Sequence, residues 1–460
     1  MLGEKGLLAG SHDMAAYEAG ARYDTGRAAF VARPASTAEV SRVVAYCTKN
    51  GIALIPQSGN TGLVSGSTPD ESGTQGVLSL DRMGSTFELD RVNRTVRAGA
   101  GMRLSDLNAE LEEHGLFFPI DLGADPRLGG MISTNTGGSR FLRYGDMRHN
   151  TLGLTVVLAN EEGTVLDLSS ALRKNNTGVD WKQLFIGTSG TFGVVTECVL
   201  NVEPLPRQTA TALLVPASSE HVPTLLVALE DALGSYLSAF EGMSRNALRA
   251  AFDHVASLRN PFHGGIVPDF VILLEVSRSS PPRGGEQQLD ALLEEALAVI
   301  WEREDAPLAD AFVGSPHETW ALRHALSEGV KHCGRLIAFD LSFRRGDIMR
   351  FLGQMKVEVP KRFDGVTICD FGHIGDGGVH FNLVVAKDDP RLGDPGFESA
   401  LRDWVIAVTV EEFSGSYSAE HAIGRKNQIF YDRYPPDGIR RLASGLKAIT
   451  SPGPLGATTF

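Results

Sequence analysis

Hydrophobic residues recur with a helical period in the segment 34–50, close to the N-terminus. An apolar residue at every third or fourth position forms one stripe, which predicts a helix with one buried face. Ser36 or Thr37 can cap the start of this helix, and Gly51 follows its end. A short apolar run, 52–55, comes next and predicts a buried strand. The stripe consists of Val40, Val43, Val44 and Cys47.

Short apolar runs and amphipathic segments continue along the rest of the chain. The hydrophobic pattern changes after the Pro204-Leu-Pro206 segment, and predicted strands and helices then alternate through residues 209–360. This change predicts two domains of the α+β class, the second with helices on one face of its sheet. The predicted strands are 77–80, 95–98, 152–159, 165–168 and 270–276, and the predicted helices are 104–114, 286–301 and 317–330.

Three glycine-rich segments interrupt the predicted elements, at 56–66, 119–138 and 184–196. The first combines three glycines with Ser, Asn and Thr, so its backbone N–H groups and hydroxyls can converge on an anion. A plain turn needs only one or two such residues, and the sequence leaves both interpretations open. A segment as long as the second is typical of a functional loop.

The two commonest phosphate-binding patterns are absent from the sequence. Gly99-Ala-Gly101 begins like G-x-G-x-x-G, but Leu104 stands where the third glycine would be. No Gly-Lys pair occurs, so there is no P-loop. A Rossmann or Walker nucleotide site is therefore disfavoured.

The bulk composition excludes several classes of function. The chain has 460 residues and a formal net charge of −13, with its Lys and Arg scattered, which excludes a nucleic-acid surface. No apolar run reaches the roughly 18 residues that a membrane span needs, and residues 1–17 resemble neither a signal nor a transit peptide. The four cysteines are far apart and form no C-x-x-C. We therefore expect a cytoplasmic protein with reduced cysteines.

Two clusters near the C-terminal end bring together side chains that bind metals. His373 and His380 stand on either side of a Gly-Asp-Gly-Gly turn between apolar runs, and this arrangement predicts a hairpin that brings them together. Glu420 and His421 follow as neighbours in the second cluster. Two imidazoles and a carboxylate suit Zn²⁺, Mn²⁺ or Fe²⁺, which leaves His421 as a base. A single histidine is more often structural, whereas the four groups together favour a site.

Two further polar residues accompany the first cluster. Asp376 lies inside the turn, where it either forms the turn or is a hydrogen-bond partner of a metal ligand. Asn382 follows His380 by two positions, so both side chains are expected on the same face of a strand.

These motifs resemble a known flavoprotein family. Gly-His-x-Gly-Asp-Gly-x-x-His at 372–380 and Ser-Ala-Glu-His at 418–421 resemble the D-2-hydroxyacid dehydrogenase branch, which includes D-lactate and D-2-hydroxyglutarate dehydrogenases. The resemblance extends from about residue 20 to about residue 455. The segments that resemble the FAD-binding domain of the vanillyl-alcohol-oxidase-type flavoproteins are 31–40, 56–63, 129–138, 141–145 and 184–196.

The resemblance implies an α+β flavoprotein of two domains. An FAD-binding domain of the vanillyl-alcohol-oxidase type would span residues 1–208, and an α+β substrate (cap) domain would span 209–411. The C-terminal segment, 412–460, would return to the FAD-binding domain and deliver Glu420 and His421.

The resemblance also implies where FAD binds. Segment 56–63 would hold the pyrophosphate through backbone N–H groups, and 123–138 with 193–195 would line the rest of the cofactor. Some relatives attach FAD through a histidine in the first glycine loop, and because this loop has none we expect non-covalent FAD. The implied FAD-binding residues are Pro56, Gln57, Ser58, Gly59, Asn60, Thr61, Gly62, Leu63, Gly123, Gly129, Gly130, Ser133, Thr134, Asn135, Gly137, Gly138, Gly193 and Val195.

The chemistry implied is the oxidation of a D-2-hydroxyacid, such as D-2-hydroxyglutarate or a D-lactate-like acid, to the 2-oxoacid. A zinc or manganese ion on His373, His380 and Glu420 would lower the pKa of the substrate hydroxyl. His421 would take the proton, and the hydride would pass to flavin N5. The alternatives are a flavin oxidase or dehydrogenase of another alcohol and a catalytically inactive flavin-binding protein.

The resemblance also implies three substrate-binding residues, Arg323, Ser327 and Asn382. Arg323 matches the arginine that clamps a substrate carboxylate, a task suited to a bidentate guanidinium. Ala338 stands where relatives of the hydroxyglutarate type carry a lysine, which favours a monocarboxylic or bulkier apolar D-2-hydroxyacid unless Lys331 compensates. The electron acceptor stays open among an electron-transfer flavoprotein, a quinone and a cytochrome, as does a homodimer.

Overall fold

The computed structural model describes residues 2–22 and 25–460, which form two compact units. The chain leaves unit 1 after Leu205 and returns to it at Glu420, compared with the expected boundaries at residues 208 and 412. Nothing in the sequence indicated that the short piece Gly138–Tyr144 belongs to unit 2. Unit 1 consists of the described residues up to Gly137, Gly145–Leu205 and Glu420–Phe460, and unit 2 consists of Gly138–Tyr144 and Pro206–Ala419.

Both units contain helices and sheets, which confirms the α+β class. The strands are β1 (Leu7–Leu8), β2 (Ala28–Ala32), β3 (Leu54–Gln57), β4 (Gln75–Ser79), β5 (Phe87–Asp90), β6 (Thr95–Gly99), β7 (Leu116–Phe117), β8 (Thr151–Val157), β9 (Val165–Leu168), β10 (Val194–Asn201), β11 (Glu203–Pro204), β12 (Gln208–Pro216), β13 (Leu237–Ser244), β14 (Phe270–Arg278), β15 (Leu308–Gly314), β16 (Arg335–Ser342), β17 (Thr367–Ile368), β18 (Phe371–Gly372) and β19 (Gly378–Val385). The α-helices are α1 (Ser11–Glu18), α2 (Thr37–Lys49), α3 (Leu104–Glu112), α4 (Leu128–Thr134), α5 (Phe141–Tyr144), α6 (Met147–Asn150), α7 (Val222–Leu233), α8 (Arg245–His254), α9 (Leu289–Trp301), α10 (Pro316–His332), α11 (Ile348–Arg362), α12 (Pro395–Ala407), α13 (Gly424–Arg433) and α14 (Asp437–Thr450).

Unit 1 is built on two main sheets. The first has the order β1-β2-β4-β3, in which β4 runs parallel to both β2 and β3. The second is antiparallel, in the order β5-β6-β10-β8-β9. Helices α3 and α4 pack their apolar side chains with the second sheet in one core, and α2 packs with the first sheet in another.

The predicted helix at 34–50 is confirmed as α2, and its caps explain its bounds. The Ser36 side chain accepts a hydrogen bond from the Glu39 backbone N–H at 3.3 Å, while the Glu39 carboxylate accepts one from the Ala35 N–H at 2.8 Å. At the other end, the Ile52 N–H donates to the Cys47 carbonyl at 2.9 Å. Because that bond extends the helix C-terminus, the following strand starts two residues later than predicted.

The segment 119–138 is not the continuous loop that its composition indicated. It contains α4, whose buried face is formed by Leu128, Met131 and Ile132. A Cβ at Gly129 would lie 2.9 Å from the Ala100 side chain, so this glycine serves close packing of a helix. The polar residues around the apolar positions hid the helical period.

Unit 2 is organised around one antiparallel sheet in the order β15-β12-β14-β13-β18-β19-β16, with β17 also paired to β19. Helices α8 and α10 pack on one face of it and share a core with Val271 and Leu273 of β14. The predicted strand 270–276 and the predicted helices 286–301 and 317–330 are confirmed within a few residues as β14, α9 and α10.

No described helix is both long enough and apolar enough to cross a membrane. All four cysteines are free thiols, and three of them are buried. Burial raises the pKa of Cys198 and of Cys369 to about 12, which keeps both sulfurs in the unreactive thiol form.

Candidate active site

The predicted approach of His373 and His380 is confirmed in unit 2. Their ring centroids lie 5.2 Å apart with an interplanar angle of 78°, and a nitrogen of one ring lies within 4.8 Å of a nitrogen of the other. Phe371 of β18 pairs with His380 of β19, and His373 follows β18 directly. The antiparallel pair and its connecting turn therefore bring the two imidazoles together.

Asp376 forms the turn between the two histidines. Its carboxylate accepts a hydrogen bond from the Gly378 N–H at 2.9 Å, and the same N–H also reaches the His373 carbonyl at 3.0 Å. Gly377 has a φ of +97°, a conformation that favours glycine. Of the two interpretations of Asp376, its position agrees with the first, a residue that forms the turn.

A buried carboxylate that the sequence analysis missed faces His373. Glu241 of β13 is 1% exposed, and its Oε1 lies 2.8 Å from His373 Nδ1. Its other oxygen, Oε2, accepts a hydrogen bond of 2.8 Å from Arg323 Nε. Arg323 Nη2 lies 2.7 Å from the same oxygen. Burial alone would raise the pKa of Glu241, but His373 and Arg323 outweigh it and lower that pKa below its ordinary value.

His380 also faces a carboxylate through Nδ1. Asp340 of β16 lies directly opposite His380 across the strand pair, and the two side chains are 3.7 Å apart, Oδ1 to Nδ1. Carboxylates beside Nδ1 are the usual partners of histidines that bind a metal through Nε2. The His373 contact is within hydrogen-bond distance, whereas the printed His380 contact is that of a longer ion pair.

The three predicted substrate-binding residues have different environments. Arg323 is buried in α10 and held by Glu241, whereas Ser327, one turn later, is exposed. Asn382 is buried, and its amide donates to the backbone carbonyls of His380 at 3.2 Å and Cys369 at 3.3 Å. Asn382 thus fixes the strand that carries His380.

Ala338 lies on the same sheet face as the histidine at position 380. It pairs directly with Asn382, and Asp340, two residues along β16, pairs with His380. Directly opposed residues and residues two apart share a face of a sheet. The position of the expected lysine is therefore next to the histidine pair.

A second buried carboxylate lies on β14, next to β13. Glu275 is 1% exposed and accepts hydrogen bonds from Arg140 at 2.8 and 3.0 Å, from Trp320 at 2.7 Å and from Ser238 at 2.7 Å. Burial raises the pKa of Glu275, but these partners outweigh it and lower that pKa overall. The pair between Arg140 and Glu275 holds the segment Gly138–Tyr144 on the sheet of unit 2.

In unit 1, the backbone N–H groups of the first glycine loop take little part in the described hydrogen bonds. Within the described part of the chain, no hydrogen bond uses the backbone N–H groups of residues 59–63. Asn60 has a φ of +51°, and its side-chain amide donates to the Ala19 carbonyl at 2.8 Å. A run of N–H groups with no protein partner is the arrangement that binds phosphates.

The second glycine segment is packed tightly. The Ser133 hydroxyl donates to the Gly129 carbonyl at 2.7 Å, and the Ser133 carbonyl accepts the Ser189 N–H at 2.7 Å. Asn135 ends α4 with a φ of +54°, and its side chain binds Asp146 and the Arg148 N–H. Several side chains proposed to bind FAD thus hold this backbone in shape.

Glu420 and His421 begin the returning segment of unit 1. The Gly137 N–H donates to the Glu420 carboxylate at 3.3 Å, which connects Glu420 with the end of the second glycine segment. A Cβ at Gly424 would lie 2.0 Å from the Val64 carbonyl oxygen, and the Lys426 N–H donates to the same oxygen at 3.2 Å. The returning segment is therefore fixed against the first glycine loop.

Comparison with known families covers both units. Residues 28–169 match the family described as FAD binding domain, and residues 205–450 match the family described as FAD linked oxidases, C-terminal domain. The overall fold is similar to that of p-cresol methylhydroxylase solved with substrate bound, with a TM-score of 0.75 and 14% identity over 98% of this chain and 93% of that one. That likeness shows the fold alone.

Similar sequences come from plants and animals. The chain is 35% identical over 432 residues to a protein of Oryza sativa subsp. japonica named probable D-2-hydroxyglutarate dehydrogenase, mitochondrial, with 91% of this chain and 72% of that one covered. It is 33% identical over 428 residues to the D-2-hydroxyglutarate dehydrogenase, mitochondrial, of Danio rerio, with 91% and 76% covered. The chain therefore belongs to the FAD-linked oxidases, in the branch that contains the D-2-hydroxyacid dehydrogenases.

Proposed function

We propose that this chain oxidises a D-2-hydroxyacid to its 2-oxoacid with FAD as the hydride acceptor and a divalent metal at the histidine pair. The observation that carries the metal part is the pair itself: His373 and His380 lie side by side, and each directs Nδ1 towards a buried carboxylate. A buried histidine needs a hydrogen-bond partner in any case, but two adjacent histidines that both face carboxylates are typical of metal ligands. The activity follows the names of the relatives at 32–35% identity.

The first glycine loop fits FAD. Its N–H groups at residues 59–63 make no hydrogen bond to any described protein atom, so they are suited to hold a pyrophosphate. The loop offers no histidine or cysteine to the flavin, which supports non-covalent binding. When bound, the flavin supplies a two-electron acceptor for the hydride from substrate C2.

We assign the metal ligands to His373, His380 and Glu420. The assignment of Glu420 is supported by a hydrogen bond of its neighbour in the chain. The preceding residue, Ala419, donates its N–H to the Asp340 carbonyl at 3.1 Å, and Asp340 is the strand partner of His380. Two imidazoles and one carboxylate suit Zn²⁺ or Mn²⁺. When bound, the ion supplies a positive charge that acidifies the 2-hydroxyl group.

The remaining roles belong to residues of the chain. His421 takes the proton of the 2-hydroxyl, a task for which an imidazole is suited near neutral pH. Arg323 binds the substrate carboxylate through Nη1, because its described hydrogen bond and ion pair to Glu241 use Nε and Nη2. Asn382 keeps the His380 strand in place and faces the same side of the sheet.

The first candidate substrate is D-2-hydroxyglutarate, which the names of the relatives specify. A second candidate, a D-lactate-like monocarboxylic acid, is favoured by Ala338. This position lies beside the histidine pair and carries no charge for a second carboxylate. The two candidate substrates differ in whether they carry a second carboxylate, and one substitution at position 338 tests that difference.

Replacing Ala338 with lysine is expected to raise kcat/KM for D-2-hydroxyglutarate relative to D-lactate by about tenfold. The reason is that an ammonium group on this sheet face gives the distal carboxylate a partner worth about 1.4 kcal/mol. The measurement is kcat/KM for both acids with an artificial electron acceptor.

Ala338→Met is the matched control, since methionine fills similar space without a charge. An equal change in both variants would assign the effect to shape and contradict the electrostatic account.

Metal removal tests the proposed function directly. Dialysis of the FAD-loaded enzyme against a chelator is expected to abolish turnover of D-2-hydroxyacids while the flavin absorbance stays, and Zn²⁺ or Mn²⁺ is expected to restore turnover. The control is a mock dialysis without chelator. Full turnover in a preparation shown by elemental analysis to be metal-free would contradict the metal assignment.

A reducing compartment, the cytoplasm, is part of the proposal. It is supported by four free thiols in the described chain. The named plant and animal relatives are described as mitochondrial. The electron acceptor is proposed to be a protein or quinone that reoxidises the flavin after each turnover.

A further inference from the structure

We infer that Glu241 and Arg323 form a positioning pair that fixes the orientation and tautomer of His373 for metal binding. This inference rests on the proposed function, because it concerns the metal assigned there. Glu241 is distant from the ligand residues in sequence and was not among the predicted site residues.

The two oxygens of Glu241 have separate partners. Oε1 lies 2.8 Å from His373 Nδ1, and Oε2 lies 2.8 Å from Arg323 Nε and 2.7 Å from Arg323 Nη2. Glu241 is 1% exposed, so water does not compete for either oxygen. The guanidinium binds Oε2 and stabilises the ionised carboxylate. Oε1 is therefore left to accept the His373 Nδ1–H.

Two glycines bring Glu241 within reach of His373. Gly242 of β13 pairs with Gly372 of β18. Gly242 directly follows Glu241, and Gly372 directly precedes His373. Gly372 has a φ of +141°, and a Cβ at Gly242 would lie 2.3 Å from Ile374. Glycine at both positions therefore permits the close pairing that sets the 2.8 Å contact.

The consequence concerns which nitrogen of His373 meets a metal. An imidazole that donates its Nδ1–H to a carboxylate carries its lone pair on Nε2, and the hydrogen bond also fixes the plane of the ring. The corresponding contact of His380 is longer, 3.7 Å to Asp340. Glu241 is therefore the stronger of the two positioning carboxylates, and Arg323 has a structural task besides any contact with substrate.

The test compares zinc affinity in FAD-loaded wild type and the Glu241→Gln variant. Zn²⁺ alone is the probe, and its dissociation constant is measured by competition with a chromophoric chelator. Loss of a carboxylate behind a metal-binding histidine typically weakens metal binding by about 10–100-fold. We expect a change of this size in Glu241→Gln.

Glu275→Gln provides the matched control. Glu275 lies on the neighbouring strand, is equally buried and is paired with an arginine, Arg140, but its described hydrogen bonds involve no histidine. It therefore reproduces the loss of a buried, paired carboxylate without touching His373. Its zinc affinity is expected to stay within about threefold of wild type.

Glu241→Asp serves if the glutamine variant does not fold. The shorter carboxylate keeps its charge but cannot reach both partners, and its zinc affinity is expected to fall between those of Glu275→Gln and Glu241→Gln, or about tenfold below wild type.

The outcomes separate this inference from the proposed function. Wild-type affinity in both Glu241 variants, or equal weakening in Glu275→Gln, would overturn the positioning role and leave the metal assignment standing. Wild-type protein that binds no zinc would overturn the metal assignment, and the positioning role with it. Selective weakening in the Glu241 variants would support both.

Discussion

Alanine in place of His421 is expected to lower kcat for D-2-hydroxyacids by about 10²–10⁴-fold, the range by which a general base accelerates a reaction. The hydroxyl proton then has no acceptor, while the hydride acceptor and the substrate carboxylate site are unchanged. FAD content is expected to equal that of wild type, because His421 lies outside the residues proposed to bind FAD. The measurement is the anaerobic rate of flavin reduction under saturating substrate.

His114→Ala is a suitable control, since His114 is an exposed histidine of unit 1 just beyond the end of α3. It is expected to reduce flavin at the wild-type rate. If His421→Ala also retains a rate within threefold of wild type, His421 is not the base. If its flavin content falls instead, the residue has a structural role.

Gly424→Ala is expected to destabilise unit 1 by about 3 kcal/mol and to weaken FAD retention. Gly424 has a φ of +53°, which costs an L-residue about 1–2 kcal/mol, and a Cβ there would lie 2.0 Å from the Val64 carbonyl oxygen. Relief of that clash would displace the first glycine loop or the returning segment. For a unit of this size the melting temperature should fall by about 6–12 °C.

Gly438→Ala is the matched control for this substitution. Gly438 lies in the first turn of α14, and a Cβ there would meet no described atom within 4 Å. Alanine at this position is expected to leave FAD content unchanged and to stabilise the helix by about 0.5–1 kcal/mol. Equal melting temperatures for the two variants would contradict the role given to Gly424.

Local signals in the sequence were sufficient for much of the fold. The apolar stripe and caps of α2 lie within one segment, so neighbouring residues alone determine that helix. Helix α4 escaped prediction because glycine, serine and threonine surround its three large buried side chains, and one of its glycines is required by contact with Ala100. The segment Gly138–Tyr144 joins unit 2 through contacts between residues far apart in sequence, such as the ion pair between Arg140 and Glu275.

The candidate site shows the same division between local and long-range information. His373 and His380 flank one short turn, so their approach could be predicted from spacing. Glu241 could not, because its contact with His373 arises from the pairing of β13 with β18. A charged residue inside a largely apolar strand, such as Glu241 between Phe240 and Gly242, is the signal that would have identified it. The same reasoning applies to Glu275 in β14.

Anaerobic reduction of the bound flavin tests the central claim, FAD-dependent oxidation of a D-2-hydroxyacid at this site. The purified, FAD-loaded enzyme is mixed in a stopped-flow instrument with D- and L-2-hydroxyglutarate and with D- and L-lactate, without any electron acceptor. Bleaching of the flavin absorbance by at least one D-acid, with no bleaching by its L-enantiomer, is the predicted result. Absence of bleaching with every D-2-hydroxyacid, or equal bleaching by both enantiomers, would contradict the account.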